Sequence, residues 1–245
     1  MPYYYFISFG AIILCALIAG SASAGVRSTF QSMGKIHTKS RMTGYDTAKR
    51  LLKANGVTDI KVGRTGGELT DHYHPTKKIV NLSQSTFGDN SVASVAVAAH
   101  EVGHVMQKKT GYFPYKLRNF LVPITNFGSR LAFPLVLVGL LIDFSIGFTQ
   151  NSNTGYYLAL FGVGLYGLAT IFALVTLPVE LNASKRAKKM LIENGILTKE
   201  ELPYADKMLS AAARTYLASV VTSLIYFLRF ALWVFMLFGG RRRND

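Results

Sequence analysis

The sequence predicts a mainly α-helical, multi-span membrane protein with about four transmembrane helices and one small α+β domain. Half of its 245 residues are apolar, and many of these fall in four long runs, at residues 3–24, 131–149, 156–177 and 216–238. Each run is close to the roughly 20 residues that a helix needs to cross a bilayer. The stretch between the first two runs differs, because it mixes helical and strand-like patterns around the HExxH motif His100-Glu101-Val102-Gly103-His104.

Charged residues are almost absent from the four apolar runs. Asp143 is the only charge in the second run, and Arg229 is the only one in the fourth. Both lie at similar depths when counted from the start of their runs, which suggests an ion pair between them. Residues 22–24 resemble a signal-peptidase site, but no Lys or Arg precedes the first run. We therefore interpret that run as an uncleaved span.

Basic residues are distributed as in a membrane protein rather than a nucleic-acid-binding protein. The net charge is +14, with 15 Lys or Arg in residues 25–118 and seven in 178–214. Four spans would place both segments on one side, and an excess of Lys and Arg marks the cytoplasmic side. We predict a multi-pass protein of the cell membrane with no nucleic-acid partner. Arg241–Arg243 would then lie outside, which leaves open whether the last run spans fully.

The predicted organisation alternates membrane segments with polar ones. It comprises a transmembrane helix at 1–24, the HExxH domain at 25–118, a transmembrane hairpin at 119–177, a return segment at 178–214, and a last transmembrane helix with a basic tail at 215–245. The single cysteine, Cys15, excludes an intrachain disulfide and a cysteine-based metal site. Gly162, Gly164 and Gly167 permit close helix packing, within the chain, in a homo-oligomer or with another membrane protein.

Residues 25–118 show the pattern of a small α+β domain. Residues 43–56 predict a helix that stops at an Asn-Gly pair, and 60–62 and 78–82 predict short strands. An edge of such a sheet can bind an extended peptide. A buried helix is predicted at 91–109, because Ser91 supplies cap chemistry and the chain then runs to the motif without glycine or proline.

The motif itself indicates a metal site. On a helix, His100 and His104 lie about one turn apart on the same face, so both imidazoles can bind one ion, and Glu101 can reach its bound water. Such a motif can also arise by chance. However, burying these polar side chains in an apolar helix costs free energy unless a partner such as zinc compensates.

The third ligand must come from elsewhere in the chain. No His follows His104, and Gln107 and Thr110 stand where a metzincin would have its glycine and third histidine. The next acids after Glu101 are Asp143, inside a span, and Glu180, directly after the third apolar run. Spacing favours Glu180, which the hairpin returns to the side of the motif. The alternatives that remain open are His72, His74, Glu193, Glu200 and Glu201.

Three segments together resemble a known family. They are Leu69–Tyr73, Ala98–His104 followed by Gln107, and Pro178–Ser184 followed by Arg186-Ala187. This combination resembles the YugP-like membrane zinc metallopeptidases and, more distantly, the HtpX-like membrane proteases. The resemblance covers nearly the whole chain, including the four spans, and implies a zincin-like HExxH domain.

By this resemblance, His100, His104 and Glu180 bind Zn²⁺, and Glu101 is the catalytic acid and base. Ser184 occupies the position where the HtpX-like pattern has Asp or Asn, so its bond to a zinc-binding histidine is in question. Asp71, His72 and Tyr73 match the segment before the motif helix. They would contact substrate or a zinc ligand, or else only stabilise a turn at Pro75.

We therefore expect a membrane-embedded zinc metalloendopeptidase that hydrolyses peptide bonds near the cytoplasmic membrane face. Its partners would be the lipid bilayer and a peptide or membrane-protein substrate. Two alternatives remain: a zinc hydrolase of a non-peptide substrate, and a membrane scaffold or partner subunit that zinc stabilises. A fourth protein ligand would favour the scaffold, whereas a position left for water would favour an enzyme.

Overall fold

The computed structural model describes residues 2–150 and 153–239. Ten elements follow one another along the chain. They are α1 (Pro2–Met33), α2 (Gly44–Ala54), β1 (Lys61–Thr65), β2 (His72–His74), β3 (Ile79–Ser83), α3 (Gln84–Phe87), α4 (Val92–Lys109), α5 (Phe113–Gln150), α6 (Thr154–Glu193) and α7 (Leu202–Gly239). The mainly helical fold class with one small sheet is confirmed.

The chain divides into two compact units, and four long helices contribute to both. The membrane unit consists of Met1–Ala19, Leu117–Thr176 and Leu217–Asp245. The HExxH unit consists of Gly20–Lys116 and Leu177–Tyr216. Helices α1, α5, α6 and α7 therefore run from one unit into the other without a break in helical structure.

Four helices are long and apolar enough to cross a membrane. These segments are Phe6–Met33, Phe113–Ser145, Thr154–Glu193 and Leu202–Phe238. Large apolar side chains such as Leu17, Phe127, Leu174 and Leu232 are exposed along them, as lipid contact requires. The four predicted transmembrane helices are thus confirmed. Each helix extends beyond the apolar run from which it was predicted.

Small residues allow helices of the membrane unit to pack closely. A Cβ atom at Gly162 of α6 would lie 2.7 Å from the backbone oxygen of Ala132 in α5. Gly167 faces Phe227 of α7, while Gly164 faces open space. The close packing expected from these glycines therefore occurs within the chain at Gly162 and Gly167.

The suggested ion pair in the membrane is wrong. Arg229 lines a cavity with Phe133 of α5, whereas Asp143 lies ten residues further along that helix, about 15 Å at 1.5 Å per residue. Asp143 instead packs against Gly155 at the start of α6. Depth counting failed because α5 enters the membrane unit at Leu117, well before the apolar run at residue 131, whereas α7 enters it at Leu217, next to its own run.

The HExxH unit contains a three-stranded mixed sheet in the order β1-β3-β2. β1 is parallel to the central strand β3, and β2 is antiparallel to it and forms one edge. The expected strands near residues 60 and 80 correspond to β1 and β3, whereas β2 was missed. Its three residues, His-Tyr-His, are too few to show an alternating pattern.

Helix α4 lies in the core of the HExxH unit. Its residues Val95, Ala99 and Val102 are completely buried, together with Val80 and Leu82 of β3. Helix α2, which begins with a capping box between Thr43 and Asp46, and residues of α6 and α7 complete this core. The motif is thus held on a rigid element that is enclosed by its own unit.

Candidate metal centre

Hydrogen bonds at its first residues fix the start of the motif helix. The Ser91 hydroxyl accepts a bond from the Ser94 backbone N–H at 3.2 Å, which caps the helix. The Asp89 carboxylate in turn accepts from both serine hydroxyls and from the Ser91 backbone N–H. A defined first turn sets the rotation of α4 and hence the direction in which both motif histidines point.

Gly103 within the motif lets helices α4 and α6 approach each other. A Cβ atom at this position would lie 2.6 Å from the backbone oxygen of Ala183. Ala183 and Ala187 on the α6 side are themselves small and completely buried. This close approach brings the return segment, including Glu180, next to the two histidines.

Three side chains converge at this helix crossing. Glu180 Oε2 lies 3.1 Å from His100 Nε2 and 3.3 Å from His104 Nε2. One nitrogen or oxygen atom from each of the three residues lies within 4.8 Å of the others. In the part of the chain that the structure describes, this is the only group of His, Cys, Asp or Glu side chains close enough to hold a metal ion.

A second layer of polar side chains orients both imidazole rings. The Gln107 amide donates from Nε2 to the Val179 carbonyl at 2.7 Å and to Asn182 Oδ1 at 3.1 Å. Its Oε1 is therefore an acceptor, and it lies 2.9 Å from His104 Nδ1. This nitrogen must then carry a proton, so Nε2, which faces Glu180, is the nitrogen that can bind a metal ion once it is deprotonated.

The Ser184 hydroxyl has the equivalent position beside the other histidine. Its Oγ lies 3.1 Å from His100 Nδ1 and can accept a hydrogen bond from that nitrogen. His100 Nε2 then also faces Glu180 and is the nitrogen of this ring that can bind a metal ion. The serine thus supplies a contact that the HtpX-like pattern would assign to Asp or Asn.

Burial and neighbouring charges set the acidities in this centre. Burial pushes the pKa of Glu180 upward, but hydrogen bonds with His100 and His104 outweigh this and hold it well below its ordinary value. Burial alone would lower the pKa of His104, yet its bond to Glu180 leaves it raised. Burial is also the main cause that raises the pKa of Glu101, against the opposing effect of both histidines.

A cleft of about 430 Å³ opens beside the motif within the HExxH unit. His100 and Glu101 line it, together with Asp71 from the segment before β2. Arg27 of α1 and Tyr216 of α7 also line the cleft. The cleft therefore gives access to the motif from a surface that is both polar and apolar.

The side chains of Asp71, His72 and Tyr73 lie in three different environments. The Asp71 carboxylate accepts bonds from the Ser83 backbone N–H at 2.8 Å and from its hydroxyl at 2.9 Å. His72 faces away toward Asn81. Tyr73 lines a different cavity, with Val105, and burial raises its pKa to about 12. Of these three predicted residues, Asp71 is the one that lines the cleft.

The other candidates for a third ligand bind partners away from the centre. His74 accepts a bond from the Lys77 backbone N–H, and Glu193 lies 3.6 Å from Lys189. Glu200 pairs with Lys39 at 3.7 Å, and Glu201 accepts from the Lys39 backbone N–H at 2.7 Å. The structure brings Glu180, and none of these residues, to the two motif histidines.

The donor set fits zinc. Two imidazole nitrogens and one carboxylate oxygen are ligands of catalytic zinc sites, which keep a further position for water. Glu180 is only 2% exposed, so its charge needs a compensating cation more than a solvated carboxylate does. Sequence reasoning did not identify Gln107 as a residue of this centre, although its position three residues after His104 places it on the same helix face.

Comparisons with known proteins agree with this chemistry. Residues 7–235 match the family model described as "putative neutral zinc metallopeptidase". The chain is also 39% identical over 221 residues to a curated protein of Bacillus subtilis (strain 168), "Putative membrane protease YugP", and the match covers 89% of this chain and 91% of that protein. No solved structure matches the chain. The chain therefore belongs to this family of membrane-associated zinc metallopeptidases.

Proposed function

We propose that the chain is a membrane-embedded zinc metalloendopeptidase with its active site at the cytoplasmic membrane face. The observation that carries the proposal is the convergence of His100 Nε2, His104 Nε2 and Glu180 Oε2 beside an open cleft. These three side chains would hold the zinc ion. Three protein ligands, rather than four, leave a position for water, as in hydrolases.

Glu101 is the proposed general base and acid. Bound zinc would supply Lewis acidity for the hydrolysis of the peptide bond. The Glu101 carboxylate then accepts a proton from the attacking water and returns it to the leaving amine. Its raised pKa suits this role, because a carboxylate with a higher pKa is a stronger base. Gln107 and Ser184 hold the two imidazoles in the orientation that the chemistry needs.

The sheet supports an extended peptide as the substrate. β2 is an edge strand, and among the described residues its other side is not paired with a strand. Asp71, which directly precedes β2, lines the cleft with His100 and Glu101. An extended segment can add to such an edge through main-chain hydrogen bonds, and we expect one bound there to pass close to the cleft that Asp71 lines with the motif.

Chain continuity favours substrates close to the membrane. Ser23 and Arg27 line the cleft a few residues after α1 enters the HExxH unit at Gly20. Thr215 and Tyr216 line it just before α7 leaves that unit. The cleft is thus built from helix segments directly connected to membrane spans. The many basic residues of the HExxH unit favour a cytoplasmic location for this side.

Paired substitutions test the proposal. Glu101→Gln removes the base but leaves all three ligands, so we expect one bound zinc per chain and no detectable cleavage of an unfolded protein such as casein. Glu180→Gln should lose both zinc and cleavage. Glu68→Gln is the matched control, because this exposed acid lines the same cleft and should keep both. Zinc is measured by elemental analysis of the purified full-length protein.

Two results would contradict the proposal. Full cleavage by the Glu101→Gln protein would exclude the mechanism. Cleavage of ester or lipid substrates, with none of any peptide, would favour a non-peptide hydrolase. A scaffold with structural zinc calls for a fourth protein ligand, and the described group contains only His100, His104 and Glu180.

A further inference from the structure

We propose that the membrane unit binds an anionic phospholipid in a cavity around Arg229. The cavity has a volume of about 310 Å³, within the size range of ligand sites. Arg229, Ser129 and six aromatic side chains line it, and every one of them belongs to the membrane unit. This site is distinct from the zinc centre and does not depend on the proposed function.

The arginine needs a counter-charge. Arg229 lies in the fourth transmembrane helix, where a cation is costly and is retained when it has a partner. Its Nε atom is shielded from solvent and has no hydrogen-bond partner among the described residues. An unsatisfied buried donor on a charged group is unfavourable. An anion that enters the cavity would compensate the charge of the guanidinium.

The cavity also carries neutral donors suited to a phosphodiester. Ser129, Tyr166 and Tyr226 contribute hydroxyl groups, and Trp233 contributes an indole N–H. A guanidinium forms two parallel bonds with a phosphate, so Arg229 would provide the main attraction and the others the remaining contacts.

The aromatic walls are arranged before any ligand enters. The ring centroids of Tyr166 and Phe230 are 4.9 Å apart, and those of Phe230 and Trp233 are 6.0 Å apart. The Tyr4 hydroxyl donates to the Arg229 carbonyl at 3.1 Å, which fixes α1 against α7. Such apolar walls suit the glycerol and upper acyl carbons of a lipid. Because all four contributing helices are candidate membrane spans, lipid is the molecule that surrounds this site.

Trp233 provides a built-in reporter, because it is the only tryptophan in the chain and lines the cavity. The full-length protein is reconstituted in vesicles of phosphatidylglycerol and phosphatidylcholine, with brominated acyl chains on one lipid at a time. We expect brominated phosphatidylglycerol to quench Trp233 fluorescence at a several-fold lower mole fraction than brominated phosphatidylcholine. Equal quenching by both lipids in the wild-type protein would overturn the proposal.

Two substitutions assign the preference to the cavity. Arg229→Gln should abolish the preference for phosphatidylglycerol. Arg229→Lys should retain part of this preference, because lysine keeps the positive charge but lacks the planar guanidinium that forms two parallel hydrogen bonds. Arg130→Gln is the matched control: it removes the same charge from an exposed position of α5 and should leave the preference intact. A preference that survives Arg229→Gln, or one that Arg130→Gln also removes, would contradict a site at Arg229.

The nature of the anion is tested separately. A brominated fatty acid presents a carboxylate instead of a phosphodiester, and it should quench more weakly than phosphatidylglycerol at equal mole fraction. Stronger quenching by the fatty acid would overturn the phospholipid assignment. The wild-type comparison of lipids requires no variant, so the proposal stays testable even if Arg229→Gln does not fold.

Discussion

In both units of this protein, a glycine lets two helices pack closely, but the consequences of this close packing differ. In the HExxH unit, Gly103 lets α4 approach the Ala183 backbone, and in the membrane unit Gly162 lets α6 approach the Ala132 backbone. The first contact joins polar side chains into a centre in which Gln107 forms hydrogen bonds with both His104 and Asn182. The second contact joins apolar surfaces, with Val136 and Ala159 buried nearby.

The difference teaches that close helix approach creates a reactive site only where both helices carry complementary polar groups. Around the motif, buried polar side chains such as Gln107 and Ser184 have partners. In the membrane unit, Arg229 Nε and Thr125 Oγ1 are buried without a partner among the described residues. We therefore associate the first region with zinc chemistry that the chain organises by itself, and the second with a ligand from the bilayer.

Matched substitutions of the two glycines are expected to give the largest effect. Gly103→Ala would press a methyl group against a backbone oxygen, so α4 and α6 must separate. We expect a loss of unfolding free energy of roughly 1–3 kcal/mol and the loss of zinc binding, because Glu180 moves away from both histidines. Thermal unfolding and a zinc titration of the full-length protein measure the two quantities.

Gly162→Ala is the control for this prediction. It meets a backbone oxygen at a similar distance, 2.7 Å against 2.6 Å, so the destabilisation should be comparable. Zinc affinity should be unchanged, since no metal-binding side chain lies at that contact. Equal loss of zinc affinity in both variants would show that the centre responds to general stability rather than to the crossing at Gly103.

The hydrogen bonds behind the imidazoles should have the next largest effect. Gln107→Leu removes the acceptor of His104 and leaves the Val179 carbonyl without its donor, and Ser184→Ala removes the partner of His100. We expect zinc affinity to fall roughly 10–100-fold in each case, as for other residues that orient metal ligands. Gln107→Glu keeps an acceptor for His104 and should recover part of the affinity. Competition with a chromophoric chelator measures it without any need for activity.

A contrary result would be equally informative. If Gln107→Leu lowers the unfolding temperature but not the zinc affinity, then Gln107 only joins α4 to α6. If Gln107→Glu and Gln107→Leu bind zinc equally weakly, the amide donors matter more than the acceptor. Either outcome would remove the argument that Gln107 fixes the tautomer of His104.

Much of this arrangement could be predicted from the sequence, where local patterns are strong. The spans follow from apolar length, and the motif helix follows from its cap at Ser91 and its regular apolar run. Glu180 was favoured by the absence of later histidines and by the hairpin topology. Each of these inferences rests on features that are close in the chain or on the order of segments.

The rest depends on contacts between distant residues. Gln107 donates a hydrogen bond to the Val179 carbonyl, 72 residues away, and no local sequence pattern predicts such a pair. The edge strand β2 has three residues, too short for an alternating pattern. The depth of Asp143 relative to Arg229 was misjudged because the second apolar run begins at residue 131, whereas α5 enters the membrane unit at Leu117.

The smallest predicted effect concerns the cap of the motif helix. Asp89 is partly buried, which alone would raise its pKa, but hydrogen bonds from Ser91 and Ser94 lower it below the ordinary value of 3.8. A carboxyl group whose folded pKa is depressed stabilises the protein above its unfolded pKa, and this stability is lost as the pH falls through the folded pKa. The HExxH unit should therefore lose stability below about pH 4.

Asp89→Asn isolates this contribution. The asparagine cannot ionise and accepts hydrogen bonds less strongly, so we expect a loss of roughly 1 kcal/mol near pH 7. The difference between wild type and variant should be constant above pH 5 and shrink below pH 4, because wild-type Asp89 then becomes neutral as well. Urea unfolding, followed by circular dichroism over this pH range, measures this difference.

Asp46→Asn at the start of α2 is the matched control, since it removes an N-terminal carboxylate from a helix that does not carry the motif. Only Asp89→Asn should also weaken zinc binding, because the first turn of α4 sets the direction of His100 and His104.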